Sequence, residues 1–136
     1  MNFGKSGNIN SYDGLEMYIY DNEKIGSLFI TNFDVSLDIN TNTSEILENS
    51  STIPFNRLNS LFIFKFNIGD KYRRMGYGTN LLNETVKFCD SIKINYIYLN
   101  CDLSNKGAKK LYDKFGFIEL GKNKNDFLLY YKIPPN

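Results

Sequence analysis

The chain is 136 residues long, 42% hydrophobic and 23% charged, the composition of one globular domain spanning 1–136 with a core of its own. Sixteen Lys and Arg against fifteen Asp and Glu leave a formal charge of +1, so nothing in the balance argues for nucleic acid as a partner. Histidine is absent, which excludes Ser-His-Asp and Cys-His catalysis, His-ligated zinc and imidazole proton shuttling in one step.

Residues 1–12 form a polar, glycine-rich segment with no predicted element and no apolar leader. Leu15, Met17 and Ile19 then alternate with Glu16, Tyr18 and Tyr20, and after a polar turn at 21–24 the run Ile25 to Phe33 is rich in β-branched and aromatic residues. Together, 15–33 predicts an antiparallel hairpin. Residues 34–58 read as a long acidic loop: Asp34, Asp38, Glu45 and Glu48 outnumber Arg57, Pro54 interrupts any pattern, and at most a helical turn is expected around Ser44 to Glu48.

Leu61 to Ile68 predicts a central strand, and its apolar block is far too short to span a membrane, so no membrane partner is expected. An amphipathic helix follows the segment 71–78 and runs through Lys93, carried by Leu81, Leu82, Thr85, Val86, Phe88, Cys89 and Ile92. Tyr96 to Cys101 is a further strand. From Ser104, a candidate N-cap, Ala108, Leu111, Tyr112 and Phe115 fall on one helical face, and Gly116 supplies the stop. Phe117 to Leu120 and Phe127 to Ile133 complete the strands. The order implies an α/β mixed sheet with helices on its faces. Cys89 and Cys101 form no C-x-x-C pair and fall at core positions, which fits a reducing, cytoplasmic setting and calls for no metal.

Arg73-Arg74-Met75-Gly76-Tyr77-Gly78-Thr79 lies between a strand and a helix, where backbone amides and the helix dipole converge on an anion. Gly76 and Gly78 allow close approach, and Lys71, Arg73 and Arg74 add charge. The pattern is neither a Walker A loop nor Gly-x-Gly-x-x-Gly. By itself it reads equally as a pyrophosphate cradle or as a tight turn with solvated arginines. One strand further on stands Asn105-Lys106-Gly107-Ala108-Lys109-Lys110-Leu111-Tyr112-Asp113-Lys114-Phe115-Gly116-Phe117. In this order, over about residues 60 to 133, the two segments closely resemble the GNAT superfamily of N-acetyltransferases, with its Arg/Gln-x-x-Gly-x-Gly/Ala loop and its Asn-x-x-Ala-x-x-x-Tyr-x-x-x-Gly-Phe helix.

The resemblance implies a mostly antiparallel sheet with one splayed parallel strand pair, and an acetyl-CoA-dependent transfer to a primary amine in a ternary complex. It implies that amides from Arg73 through Thr79 hold the pyrophosphate, that Phe66, Asn67 and Ile68 pair with the pantetheine arm, and that Asn105 and Ala108 flank its end. Tyr112 would protonate the departing thiolate; packing of helix on sheet is the other reading of that residue. The chain departs from the family pattern in two places. Too few residues precede 15–33 for the two helices usual between the first strands, so these are missing or reduced. No carboxylate occupies Phe62 to Lys65, where relatives often place a general base, which leaves Asp102, or more weakly Asp34, as substitute. If the acidic 34–58 segment lines the pocket, a cationic acceptor is expected. The competing reading is a non-catalytic acyl-CoA-binding or interaction module on the same fold, and pairing through the last strand would give a homodimer.

Overall fold

Aromatic and β-branched runs pair into one seven-stranded sheet in the computed structural model, which describes residues 1–39, 41–48 and 57–135. The strands are β1 (Asn2–Gly7), β2 (Leu15–Asp21), β3 (Glu23–Asn32), β4 (Ser60–Ile68), β5 (Tyr96–Asp102), β6 (Ile118–Lys122) and β7 (Asp126–Lys132), in spatial order β1-β2-β3-β4-β5-β7-β6. All neighbours run antiparallel except β4 and β5, which are parallel. The helices are α1 (Phe33–Ile39), α2 (Thr41–Glu48), α3 (Tyr77–Ser91) and α4 (Lys106–Phe115).

The polar 1–12 segment contributes β1, an edge strand registered on β2 from Asn2↔Tyr20 to Gly7↔Leu15. The expected 34–58 loop is corrected as well, because α1 and α2 occupy its first half. No helix stands between β1 and β2; these two short ones follow β3 instead. Their Asn, Ser and Thr residues, which read as loop signals, are caps and buried partners. Asn32 Oδ1 accepts from Val35 N at 2.9 Å, Ser36 Oγ hydrogen-bonds the Tyr98 hydroxyl, and Thr43 Oγ1 donates to Asn100 Oδ1 at 2.9 Å. The stretch 49–56, with Pro54, and the side chains of Asp38, Glu48 and Arg57 lie outside the described residues.

Period-2 alternation divides the apolar residues between two faces. Leu61 and Ile63 of β4, with Ile97 and Leu99 of β5, face α3 and α4 and pack on Leu81, Leu82, Cys89 and Tyr112. Phe62 and Tyr98 face the other way, onto Phe33, Ile46 and Leu128 beneath α1 and α2. Burial pushes the Cys89 thiol up to about 12, so it is an inert core residue. Among the described residues, no helix is long and apolar enough to cross a membrane.

One irregularity positions everything that follows. Against β3, the register runs Phe29↔Phe64 and then Ser27↔Asn67, so Leu28 alone opposes Lys65 and Phe66. Lys65 takes φ +50, and this bulge turns the strand over: Phe64 packs with Phe62, whereas Phe66 and Ile68 join the α3/α4 face. Parallel pairing of β4 with β5 covers only Ser60↔Tyr96 to Ile63↔Leu99. Beyond Ile63 the two strands part, and the β4 edge facing β5 has no strand partner among the described residues.

Candidate active site

The loop after β4 leads through a short 3-10 turn at Asp70–Tyr72 into α3. Gly76 is the N-cap of α3, at φ +85, and brings no side chain to cap the first-turn amides. Asn80 N makes the first helical bond, to Gly76 O at 3.0 Å, which leaves the Tyr77, Gly78 and Thr79 amides aimed out of the helix start. A Cβ built on Gly76 meets nothing within 4 Å, so the space in front of these amides is open. Orphan amides, a helix dipole and open space together fit an anion.

The neighbouring cations divide in a way the sequence does not reveal. Lys71 pairs with Glu23 at 2.5 Å, and the same carboxylate takes the Tyr72 hydroxyl. Arg73 folds back onto its own turn, donating to Ile68 O at 3.2 Å and pairing with Asp70 at 3.2 Å. Arg74, at φ +63, has no ion pair among the described residues and is the cation available to a phosphate.

From this helix start a groove of about 510 Å³ runs along β4 and α4. Phe66, Asn67, Ile68, Arg73, Arg74, Gly76, Tyr77, Gly78, Thr79, Asn105, Ala108 and Tyr112 all line it; Met75 faces away, exposed in a separate depression with Asn80 and Lys114. Tyr72, Gly107 and Leu111 also line it and were not singled out in the sequence. Leu111 carries the helical spacing of a core residue, and that spacing conceals its second role.

Asn105, not Ser104, is the N-cap of α4: its Oδ1 accepts from Ala108 N at 3.1 Å, which keeps Nδ2 as the donor on a groove-lining residue. Ser104 is instead held by Asp102, whose Oδ1 accepts from Ser104 N at 2.7 Å and from Ser104 Oγ at 2.5 Å. These hydrogen bonds lower the Asp102 pKa below the usual carboxylate value, so this exposed group is a poor proton acceptor. Asp34 lies in a different depression, with Ile9, Asn10 and Leu58, and does not reach the splay.

Tyr112 is only 8% exposed, packed against Phe66 and Phe117, and its hydroxyl has no hydrogen-bond partner among the described residues. Desolvation, and then the charge of Cys101, push the phenol far above its ordinary value and keep it neutral. Phe66, Asn105, Ala108 and Tyr112 line both the groove and a second cavity of about 240 Å³ in the splay between β4 and β5. The groove and the splay therefore adjoin along these four residues, Tyr112 among them. Cys101 and Lys65 line the splay as well. Burial raises the Cys101 thiol, which leaves it a weak nucleophile.

The seven-stranded sheet thus parts at its parallel β4–β5 pair, and the groove and the splay adjoin beside that parting. The chain belongs to the acetyltransferase (GNAT) family, whose pattern matches residues 16–117. It is 37% identical over 73 residues to N-alpha-acetyltransferase 50 of Danio rerio, covering 53% of this chain and 41% of that protein. It is also 33% identical over 57 residues to N-alpha-acetyltransferase 30 of Homo sapiens, covering 42% of this chain and 16% of that protein. The matched region thus spans less than half the length of these relatives. Among solved structures, Ard1 from Thermoplasma volcanium superposes with a TM-score of 0.64 at 14% identity, over 89% of this chain and 70% of that one. PaiA N-acetyltransferase from Thermoplasma acidophilum, in complex with coenzyme A, gives 0.63 at 18% identity, over 86% and 59%. Both likenesses show the fold.

Proposed function

We propose that this domain transfers the acetyl group of acetyl-CoA to a primary amine, and specifically to the α-amino group of a peptide or protein, by direct attack in a ternary complex. The observation that carries the reading is one groove lined both by the α3 start at Tyr77, Gly78 and Thr79 and by Tyr112, next to the splay that Tyr112 also lines. The names of the N-alpha-acetyltransferase relatives support the choice of acceptor.

In this reading the amides of Tyr77, Gly78 and Thr79, with Arg74, hold the pyrophosphate, and the free edge of β4 at Phe66 to Ile68 pairs with the pantetheine amides as an added strand would. That places the thioester in the splay. The acceptor amine attacks the carbonyl carbon, a tetrahedral oxyanion forms, and the C–S bond breaks to leave the coenzyme thiolate. Tyr112 donates its phenolic proton, or a strong hydrogen bond, to that sulfur. A phenol shifted this far up holds its proton firmly. The thiolate forms in the same desolvated site, which raises its own affinity for a proton and restores the match. With Asp102 held ionised by Ser104, the amine loses its proton to water, directly or after attack.

Incubation with acetyl-CoA and a short peptide bearing a free N-terminus tests the reading. Thiol release matched by one acetyl group on the peptide α-amine is expected. Coenzyme binding with no transfer to any of a broad amine panel would favour the non-catalytic module.

A further inference from the structure

The splay cavity carries two charges, one on each strand: Lys65 on β4 and Asp102 on β5. Asp102 stays anionic because Ser104 donates twice to it. Lys65 has no ion pair among the described residues. Its ammonium lies 5.6 Å from the Phe29 ring centroid and 5.9 Å from that of Phe64, which hold it at the rim without neutralising it. The bulge forces this lysine to φ +50, a conformation that Gly or Asn adopts more readily, so a long cationic side chain is kept at a backbone position ill-suited to it. Among the described residues, none lining the splay comes from the acidic 34–58 segment. The charge that the described residues place on the β4 side of the cavity is thus positive.

We propose that Lys65 selects acceptors that carry an anionic group a few bonds from the reactive amine. The inference rests on the transferase reading and names the acceptor class of that same site. An acceptor of this kind presents both signs, as the cavity does: the amine enters past Asp102, and the anion settles on Lys65. Lys65 also disfavours an acceptor with a second positive charge, by like-charge repulsion at the rim.

Three peptides identical except for Glu, Gln or Lys at the second position provide the test, each measured for kcat/KM and for equilibrium binding to the coenzyme A-loaded protein. For this exposed, screened position the wild type is expected to favour Glu over Lys by about fivefold or more, and less at high salt. Lys65→Met should flatten the series and Lys65→Glu should invert it, while Lys65→Arg retains it. A thermal melt of each variant shows whether it is folded, and the wild-type ranking alone already tests the charge preference. Equal use and equal binding of the three peptides, or a series unchanged in Lys65→Glu, would overturn the proposal while leaving the transferase reading intact. Charge-ranked binding without transfer would uphold Lys65 and overturn the catalytic reading instead.

Discussion

At the residue scale, the environment of Tyr112, the proposed acid, sets its pH behaviour. With the phenol raised by burial, no descending limb from Tyr112 is expected below about pH 10, while kcat/KM should climb through about pH 8 as an α-amino acceptor loses its proton. A descending limb centred near neutrality would contradict that assignment. The same shift lowers stability above about pH 10: the unfolded phenol releases its proton there while the folded one does not, so fewer protons are bound in the unfolded state and stability falls as pH rises. Replacing Tyr112 by Phe removes the donor and keeps the ring against Phe66 and Phe117; kcat should drop by about a hundredfold with coenzyme affinity nearly unchanged. Full activity in Tyr112→Phe would assign the proton to solvent.

At the element scale, α4 separates two jobs of one side chain. Asn105→Ala removes the cap and should cost about 1 kcal/mol in denaturant unfolding, together with coenzyme affinity. Asn105→Asp retains an Oδ acceptor for Ala108 N but loses the Nδ2 donor, so stability should hold while affinity falls. If Asn105→Asp binds coenzyme as the wild type does, Asn105 is a cap alone. The loop and the last helix were legible in the sequence because each motif is contiguous and its spacing encodes local geometry: a glycine N-cap at 76, a left-handed glycine C-cap at 116. The elements missed share a physical cause. Phe3 is the one large apolar side chain of β1, an edge strand that buries little, and α1 and α2 spend Ser36 and Thr43 on buried hydrogen bonds where a core pattern would place apolar residues. Composition could not distinguish these from a polar loop. The placement of Asp102 likewise followed from sequence, but its capture by Ser104 did not, because Ser104 was read as the cap of the following helix.

At the scale of the whole molecule, the proposed function rests on one of the sheet's three register shifts, the one between β3 and β4. The bulge at Lys65 and the parting of β4 from β5 after Ile63 bring together a strand edge with no strand partner among the described residues and a cavity that Tyr112 lines. The described residues that meet there come from β4, β5 and α4, which is why the acceptor side was the least legible part of the sequence. A ligand that binds only the folded chain adds its binding energy to stability, so acetyl-CoA at a hundredfold over its Kd should stabilise the protein by about 2.7 kcal/mol.

Calorimetric titration with acetyl-CoA and with coenzyme A, on the wild type and on Gly76→Glu, tests the central claim most directly. At φ +85 with open space ahead, a glutamate at this position adds backbone strain of about 1–2 kcal/mol and sets a carboxylate before the α3 amides. Saturable one-to-one binding by the wild type, lost in a Gly76→Glu protein that still melts cooperatively, is the predicted result. Absence of binding at millimolar coenzyme, or equal affinity in the two proteins, would contradict it.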